Sequence, residues 1–376
     1  MSISNEFHGD RLRLARLLNG LTQQQLGDQV STSRQYIHQL ESGSKNPADD
    51  LLLALSESLS VRKDFFYIPL LNDVKFEQCH FRKRKTTPLG VANKIISYST
   101  IFEELVLYIK EHIDFPFPNF PEANSSNGNY TTHYIELAAE ECRKLWGLGK
   151  NNPIANITRV LENAGVIITK FKEVPEKIDA LSVNRKVPII IMNSSKENPC
   201  RARFDLAHEC GHFILHDGME TGDNITESEA DRFASAFIFP RGAFLREFPD
   251  FKGGRINWDL IYKLKIRWGM SVKALIYKAH YFDKITSTQY RSANVYLNKS
   301  GQSKNERHDE MILGEQPTLI QRSFDLMEEY LNIRPVDISY SLGIQPNLLS
   351  MVTSIDIPVD QTEGKIISFF RRNSGK

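Results

Sequence analysis

The run His208-Glu209-Cys210-Gly211-His212 constrains this chain more than any other stretch. Phe204, Ala207, Cys210, Gly211, Ile214 and Leu215 lay an apolar stripe through it at helical spacing, which predicts a helix. Residues four apart on a helix share a face. His208 and His212 can therefore offer two imidazoles to one metal ion, and zinc is the usual guest of such a pair. Glu209 stands beside the first histidine, where it can take the proton of a zinc-bound water as general base.

A catalytic zinc site has three protein ligands and a water. The next acidic cluster follows a Gly- and Asp-containing loop at 217–224. Thr226 with Glu229 three residues on has the form of a capping box and predicts a helix start there, and Pro240 predicts its stop. Glu227, Ala230, Asp231, Ala234 and Ile238 fall on one face, and the small alanines allow close approach to the histidine helix. Glu227 is then the expected third ligand, from the first turn. Asp231, one turn on, is expected to accept a hydrogen bond from the far nitrogen of a ligand histidine. Glu229 is directed towards Phe233 and Ala236 and suits the cap, but it stays open as the alternative ligand. His216 shares the face of His212 and is expected as a polar neighbour of the site.

Four cysteines, Cys79, Cys142, Cys200 and Cys210, form no Cys-x-x-Cys pair. No signal peptide or membrane-spanning apolar run is evident, so a reduced, cytoplasmic chain without a membrane partner is expected. Cys210 reads either as a small packing residue or as an oxidant sensor beside the base.

Residues 11–66 carry a separate signal. Arg11, Leu12, Leu14, Ala15 and Leu18 make an amphipathic helix, Thr22 caps a second, and Ser31-Thr32-Ser33 turns into a third from Arg34 to Leu40. A fourth spans Leu51 to Leu59. Two short helices joined by a tight turn, the second rich in long polar side chains, follow the helix-turn-helix plan. Arg34, Gln35, His38 and Gln39 lie outward on the third helix while Ile37 and Leu40 face in, so these polar residues are candidate readers of base edges. Gln23 is a candidate phosphate contact. The unit is not strongly basic, because Asp28, Glu41, Asp49, Asp50 and Glu57 offset its arginines. Affinity for double-stranded DNA is therefore expected to need a homodimer.

A length of 376 residues suggests two or three domains. The net charge of +1 argues against a purely electrostatic nucleic-acid binder. The basic run Arg82-Lys83-Arg84-Lys85 marks a boundary after the first unit. One long helix is expected over 89–112, an extended proline-fixed segment over 114–121 and a polar loop over 122–129. From Tyr134 the pattern is α+β: helices at 135–146 and 154–163, a strand at 166–169, and a hairpin from 180–183 to 187–192. A strand beside a zinc helix suggests that an extended peptide adds to the sheet edge. A helical unit follows Pro240, residues 295–315 read as irregular, and 323–330 and 336–351 as helical.

The expected architecture is multidomain: an all-α helix-turn-helix domain at 1–70, a linker with a helix at 71–130, an α+β zincin-like metallopeptidase domain at 131–295, and a helical region of unknown role at 296–376. Residues 11–66 resemble the helix-turn-helix of the phage-repressor, or XRE, class. Residues from about 134 to 290 resemble the ImmA/IrrE family of metallo-endopeptidases, through Arg203-Phe204-Asp205-Leu206-Ala207-His208-Glu209-Cys210-Gly211-His212-Phe213-Ile214-Leu215-His216, then Glu227, Ala230, Asp231, Phe233, Ala234 and Pro240. Trp146-Gly147-Leu148 with Asn152-Pro153-Ile154 also fits fused proteins of this type.

The resemblance implies zinc-dependent cleavage of a repressor-like protein, releasing genes of stress responses or mobile elements. His208, His212 and Glu227 would take the ligand places and Glu209 that of the base. Cys210 departs from the family, which often has an apolar residue there. Two readings follow: a regulator whose zinc endopeptidase cuts a protein partner or its own chain, and a repressor or antitoxin-like regulator whose peptidase fold only senses a ligand or partner.

Overall fold

The strand segments near 167, 181 and 190 are apolar at consecutive positions rather than alternate ones, a pattern that demands cover on both faces of a sheet. The structure, a computed structural model, describes residues 6–71, 73–75, 79–81, 88–121, 129–171, 180–193, 198–219, 221–251 and 254–358. Its first elements are α1 (Gly9–Leu18), α2 (Gln23–Gln29), α3 (Arg34–Glu41), α4 (Asp49–Ser58), a 3₁₀ turn at Lys63–Tyr67, β1 (Cys79–Phe81) and α5 (Leu89–Lys110). Next come α6 (Thr132–Leu145), α7 (Ile157–Asn163), β2 (Ile167–Phe171), β3 (Ala180–Asn184), β4 (Pro188–Asn193), α8 (Pro199–Leu215) and α9 (Asn224–Ile238). The chain continues with α10 (Arg241–Glu247), α11 (Trp258–Trp268), α12 (Val272–Tyr281), α13 (Ser287–Lys299), a 3₁₀ turn at Asp309–Met311, α14 (Leu319–Leu331), α15 (Pro335–Ser341) and α16 (Pro346–Thr353). The expected fold class is observed: a helical N-terminal unit, then a small mixed sheet with helices, largely helical overall.

The sheet runs β1-β3-β4-β2, with β3 antiparallel to both neighbours and β2 parallel to β4. Its alternation assigns the two faces to two apolar cores. Ile167, Leu181, Val183, Ile189 and Ile191 join α1–α5 and α14–α16. Ile168, Ala180, Ile190 and Met192 join α6–α9 and the helices that follow to α13.

Within the first core, Thr22 and Gln25 form a capping box on α2 and the Ser33 side chain accepts from the Tyr36 amide at the start of α3. Gly9 allows the backbone contact between α1 and α3: a Cβ there would stand 2.1 Å from the Leu40 carbonyl oxygen. Arg11 ties α1 to α5. It is buried, its Nε donates to the Ile68 carbonyl at 2.8 Å, and its Nη1 meets Glu104 Oε2 at 2.7 Å. The C-terminal helices pack into this same core. Arg62 N donates to the Gly343 carbonyl at 2.8 Å, and the buried Tyr98 hydroxyl donates to the Val352 carbonyl at 2.6 Å.

The stretch expected to be irregular at 295–315 is corrected in part, because α13 runs to Lys299 with Ala293 and Leu297 buried beneath it. Beyond it, buried polar groups hold a non-repetitive segment. Lys265 Nζ lies 3.1 Å from Glu306 and 2.7 Å from Asp309, and Glu306 accepts the Val272 amide at the start of α12. The basic run 82–85, most of the polar loop at 122–129 and the tail after 358 lie outside the described residues. No helix among the described residues is long and apolar enough to cross a membrane.

Removing one partner of a buried ion pair leaves an uncompensated charge, which typically costs about 3–5 kcal/mol. Glu104→Ala is expected to destabilise the first core by about that amount in denaturant titration. A loss below about 1 kcal/mol would mean that Arg11 finds other compensation.

Candidate metal centre

α8 is buried nearly all round because it is enclosed between the sheet and α9, and Arg203, Asp205, His208, Glu209 and His212 are among its buried residues. Pro199 starts its first turn and the Asn198 side chain caps it by accepting from the Arg201 amide. Every residue from Asp205 to His216 is buried. Gly211 lets α9 come close, since a Cβ there would meet the Phe233 ring at 3.1 Å and Ala230 Cα at 3.3 Å.

α9 starts earlier than the capping-box reading predicts. Its N-cap is Asp223, whose carboxylate accepts from the Ile225 and Thr226 amides at 2.6 and 3.0 Å. The Thr226–Glu229 box is therefore not needed, and Glu229 is released for a buried role.

The packing brings His208, His212 and Glu227 together, with one ligand atom from each lying within 4.8 Å of the others. The two Nε2 atoms are 3.1 Å apart, and Glu227 lies 3.4 Å from the first and 3.5 Å from the second. Both Glu227 carboxylate oxygens are buried without a hydrogen-bond partner. Burial alone would push this carboxyl up, but the two imidazoles outweigh it and hold it at about 2. Converging imidazole nitrogens facing an orphaned, ionised carboxylate make a donor set that fits a divalent cation of the zinc type. Glu229 is not in this group.

Each histidine is held from behind. His208 Nδ1 lies 2.8 Å from Asp231 Oδ1, as expected from the helix face. His212 Nδ1 lies 3.0 Å from His216 Nδ1, and His216 Nε2 lies 2.9 Å from Glu229 Oε2. Glu229 Oε1 accepts the Tyr130 amide at 2.6 Å, and the Tyr130 hydroxyl donates to the Leu215 carbonyl at 2.9 Å.

Glu209 sits on the sheet side of α8, where the Ser182 hydroxyl donates to its Oε2 at 2.6 Å. Burial raises its carboxyl to about 7, against the lowering effect of His208 and Ser182. Cys210 is buried, and burial pushes its thiol well above the ordinary value, so it packs as an apolar residue and the oxidant-sensor reading loses its chemical basis.

A cleft of about 720 Å³ opens beside Glu227 and Asp231, and Glu136, Phe204, Arg232, Lys278 and Tyr281 are among its lining residues. The β3 edge nearest α8 is not open. β1 pairs along it, with Cys79 opposite Val183, His80 opposite Ser182 and Phe81 opposite Leu181. Both sides of β3 are therefore paired, and the edge strands of the described sheet are β1 and β2.

On α3, Arg34, Gln35 and His38 are exposed and Gln39 is half-buried, while Ile37 and Leu40 are buried. Gln23 donates to Glu41 Oε2 at 2.7 Å, and Glu41 also pairs with the buried Arg16, whose Nη2 lies 3.0 Å away. An amide nitrogen carries two hydrogens, so a phosphate contact by Gln23 is compatible with this bond. Sequence reasoning missed Ser182 and Tyr130, which carry no motif signal. It placed His216 near the site, but not its link to Glu229 across thirteen residues.

Residues 161–280 match the family profile described as the IrrE N-terminal-like domain, a peptidase family. Residues 12–66 match the helix-turn-helix profile. The chain therefore carries a segment similar to helix-turn-helix domains and a second similar to the IrrE N-terminal-like domain. Both resemblances read from the sequence are thus found, and the trio lies within the IrrE-like segment. No curated protein matches this chain. Among solved structures, the crystal structure of Bacillus thuringiensis PlcR in complex with the peptide PapR7 and DNA aligns over 92% of this chain and 90% of that one. Its identity is 12% and its TM-score 0.15, too low to assign a shared fold.

Alanine at Gly211 gains up to about 1 kcal/mol of helix propensity. Overpacking against the Ala230 backbone and the Phe233 ring costs about 1–3 kcal/mol and is expected to win. Gly211→Ala should therefore lower the melting temperature of the metal-free protein. An unchanged or higher value would show that α9 yields easily.

Proposed function

We propose that the chain is a DNA-binding transcription regulator with a zinc-dependent endopeptidase that cuts a repressor-like protein or its own chain in response to a stress or mobile-element signal. The observation that supports it most is the convergence of His208, His212 and the orphaned carboxylate of Glu227, with Glu209 on the neighbouring position of α8. A bound zinc ion would be held by those three residues and would supply Lewis-acid activation of a water and of the scissile carbonyl. Glu209 receives the proton of the attacking water, and its raised carboxyl suits transfer near neutral pH. The Ser182 hydroxyl fixes the Glu209 carboxylate in place. Asp231 holds the ring of His208 so that Nε2 faces the site. Because β1 lies along β3, an extended substrate reaches that edge only by exchange with β1.

In this reading the helix-turn-helix domain directs the activity to an operator as a homodimer, with Arg34, Gln35, His38 and Gln39 towards base edges. The second reading, a regulator that senses through a peptidase fold without turnover, keeps the metal but not the cleavage.

The wild-type protein is expected to carry about one zinc per chain, and Glu227→Ala to lose it. Glu209→Gln should retain zinc while cleavage falls by about 10²–10⁴-fold or more. The deciding measurement is proteome-wide mapping of new N-termini, including those of the chain itself, with the wild type and Glu209→Gln. Zinc bound in both, with no new termini that depend on Glu209, would replace the peptidase reading with the sensor reading.

Selection on random duplexes should recover a two-fold symmetric site with half-sites roughly 10 base pairs apart. Arg34→Ala should weaken specific binding by about 1–3 kcal/mol and relax one base position. Recovery of no enriched sequence would remove DNA reading from the mechanism.

A further inference from the structure

The two imidazoles of the trio have unlike supports. His208 rests directly on Asp231, a carboxylate whose side chain is 44% exposed. His212 rests on a second histidine, His216, which is fully buried and rests in turn on the buried Glu229. Glu229 is itself anchored from outside α8 and α9, by the Tyr130 amide just ahead of α6. Tyr130 also bonds the end of α8 through its hydroxyl.

The proton assignments along this chain follow from one requirement. A cation held at His212 Nε2 needs the lone pair there, so the ring proton of His212 sits on Nδ1. That proton is donated to His216 Nδ1, which must then be the unprotonated nitrogen of its ring. His216 consequently carries its proton on Nε2 and donates it to Glu229 Oε2. The carboxylate two hydrogen bonds away selects the tautomer of His212 and the orientation of its ring. Glu229 has its other oxygen occupied by a fixed backbone amide, so it cannot rotate away from His216 without abandoning that bond.

Resting on the metal-centre reading above, we propose that His216 and Glu229 are positioning residues for the metal, a buried histidine–carboxylate relay that presents His212 Nε2 to the ion. The relay differs from the His208–Asp231 pair in being closed to solvent along its length. It also joins the segment before α6 to the ligand helix, so the start of α6, α8 and α9 are tied to one ligand geometry.

The test uses the full chain, with zinc affinity measured by chelator competition and the visible spectrum of the cobalt-substituted protein as a second readout. His216→Ala is expected to bind zinc about 10–100-fold more weakly and to change the cobalt spectrum. In His216→Asn the side-chain oxygen can stand where Nδ1 stood and accept the His212 proton, so this variant should recover most of the affinity. Glu229→Gln keeps an acceptor for only one of its two partners and should fall between. Melting of the zinc-free proteins separates positioning from packing: the relay predicts that the deficit of His216→Ala is larger with zinc than without.

Zinc binding by folded His216→Ala within about twofold of wild type, with the same cobalt spectrum, would overturn the relay while leaving the metal centre standing. Equal impairment of His216→Ala and His216→Asn would reduce His216 to space-filling and also overturn it. If His216→Ala does not fold, Glu229→Gln decides, and unchanged zinc affinity there counts against the relay. Failure of the wild type to bind zinc at all would sink the metal-centre reading itself, and the relay with it.

Discussion

The close approach of α8 and α9 at Gly211 and Ala230 governs the geometry of the whole site. His208, His212 and His216 stand on one helix and the carboxylates Glu227, Glu229 and Asp231 on the other, so the histidine–carboxylate contacts of the centre cross between the two helices. A larger side chain at Gly211 must displace the Phe233 ring or the α9 backbone. Small residues at such a crossing add little apolar burial. What they permit is a spacing at which the side chains of two helices can share one cation.

Electrostatics make that spacing consequential. Glu227 is kept ionised by two imidazoles although burial opposes it, whereas Glu209, one residue from His208, is pushed to about 7 by burial. Two carboxylates on either side of the same histidines thus differ in proton affinity because one faces the imidazole nitrogens and the other faces the sheet. The first is suited to hold a cation, the second to receive and release a proton. Cys210, between them in sequence, is turned into the apolar interior and takes no part.

The sheet links the two halves of the molecule. One face belongs to the core that contains α1–α5 and α14–α16, the other to the core that contains α8. β3 contributes Leu181 and Val183 to the first and, through Ser182, the contact to Glu209 in the second. β1, in the stretch leaving the helix-turn-helix unit, pairs with that same strand.

Much of this was readable from residue order. The period of four between His208 and His212 and the outward set on α3 are local properties of helix geometry, and the structure has them where the spacing puts them. The face shared by Glu227 and Asp231 was legible for the same reason, as was the preference for Glu227 over Glu229 beside the histidines. The cap of α9 was misread because Thr226–Glu229 has the spacing of a capping box, and only the position of the Asp223 carboxylate shows that the helix begins earlier. The Glu229–His216 bond, the Ser182–Glu209 bond and the pairing of β1 with β3 join residues with no shared periodicity. Sequence determined which faces each element presents, since that depends on backbone repeat alone. Which faces meet was decided by tertiary packing, because burial of apolar area fixes helix and strand placement without regard to the distance along the chain.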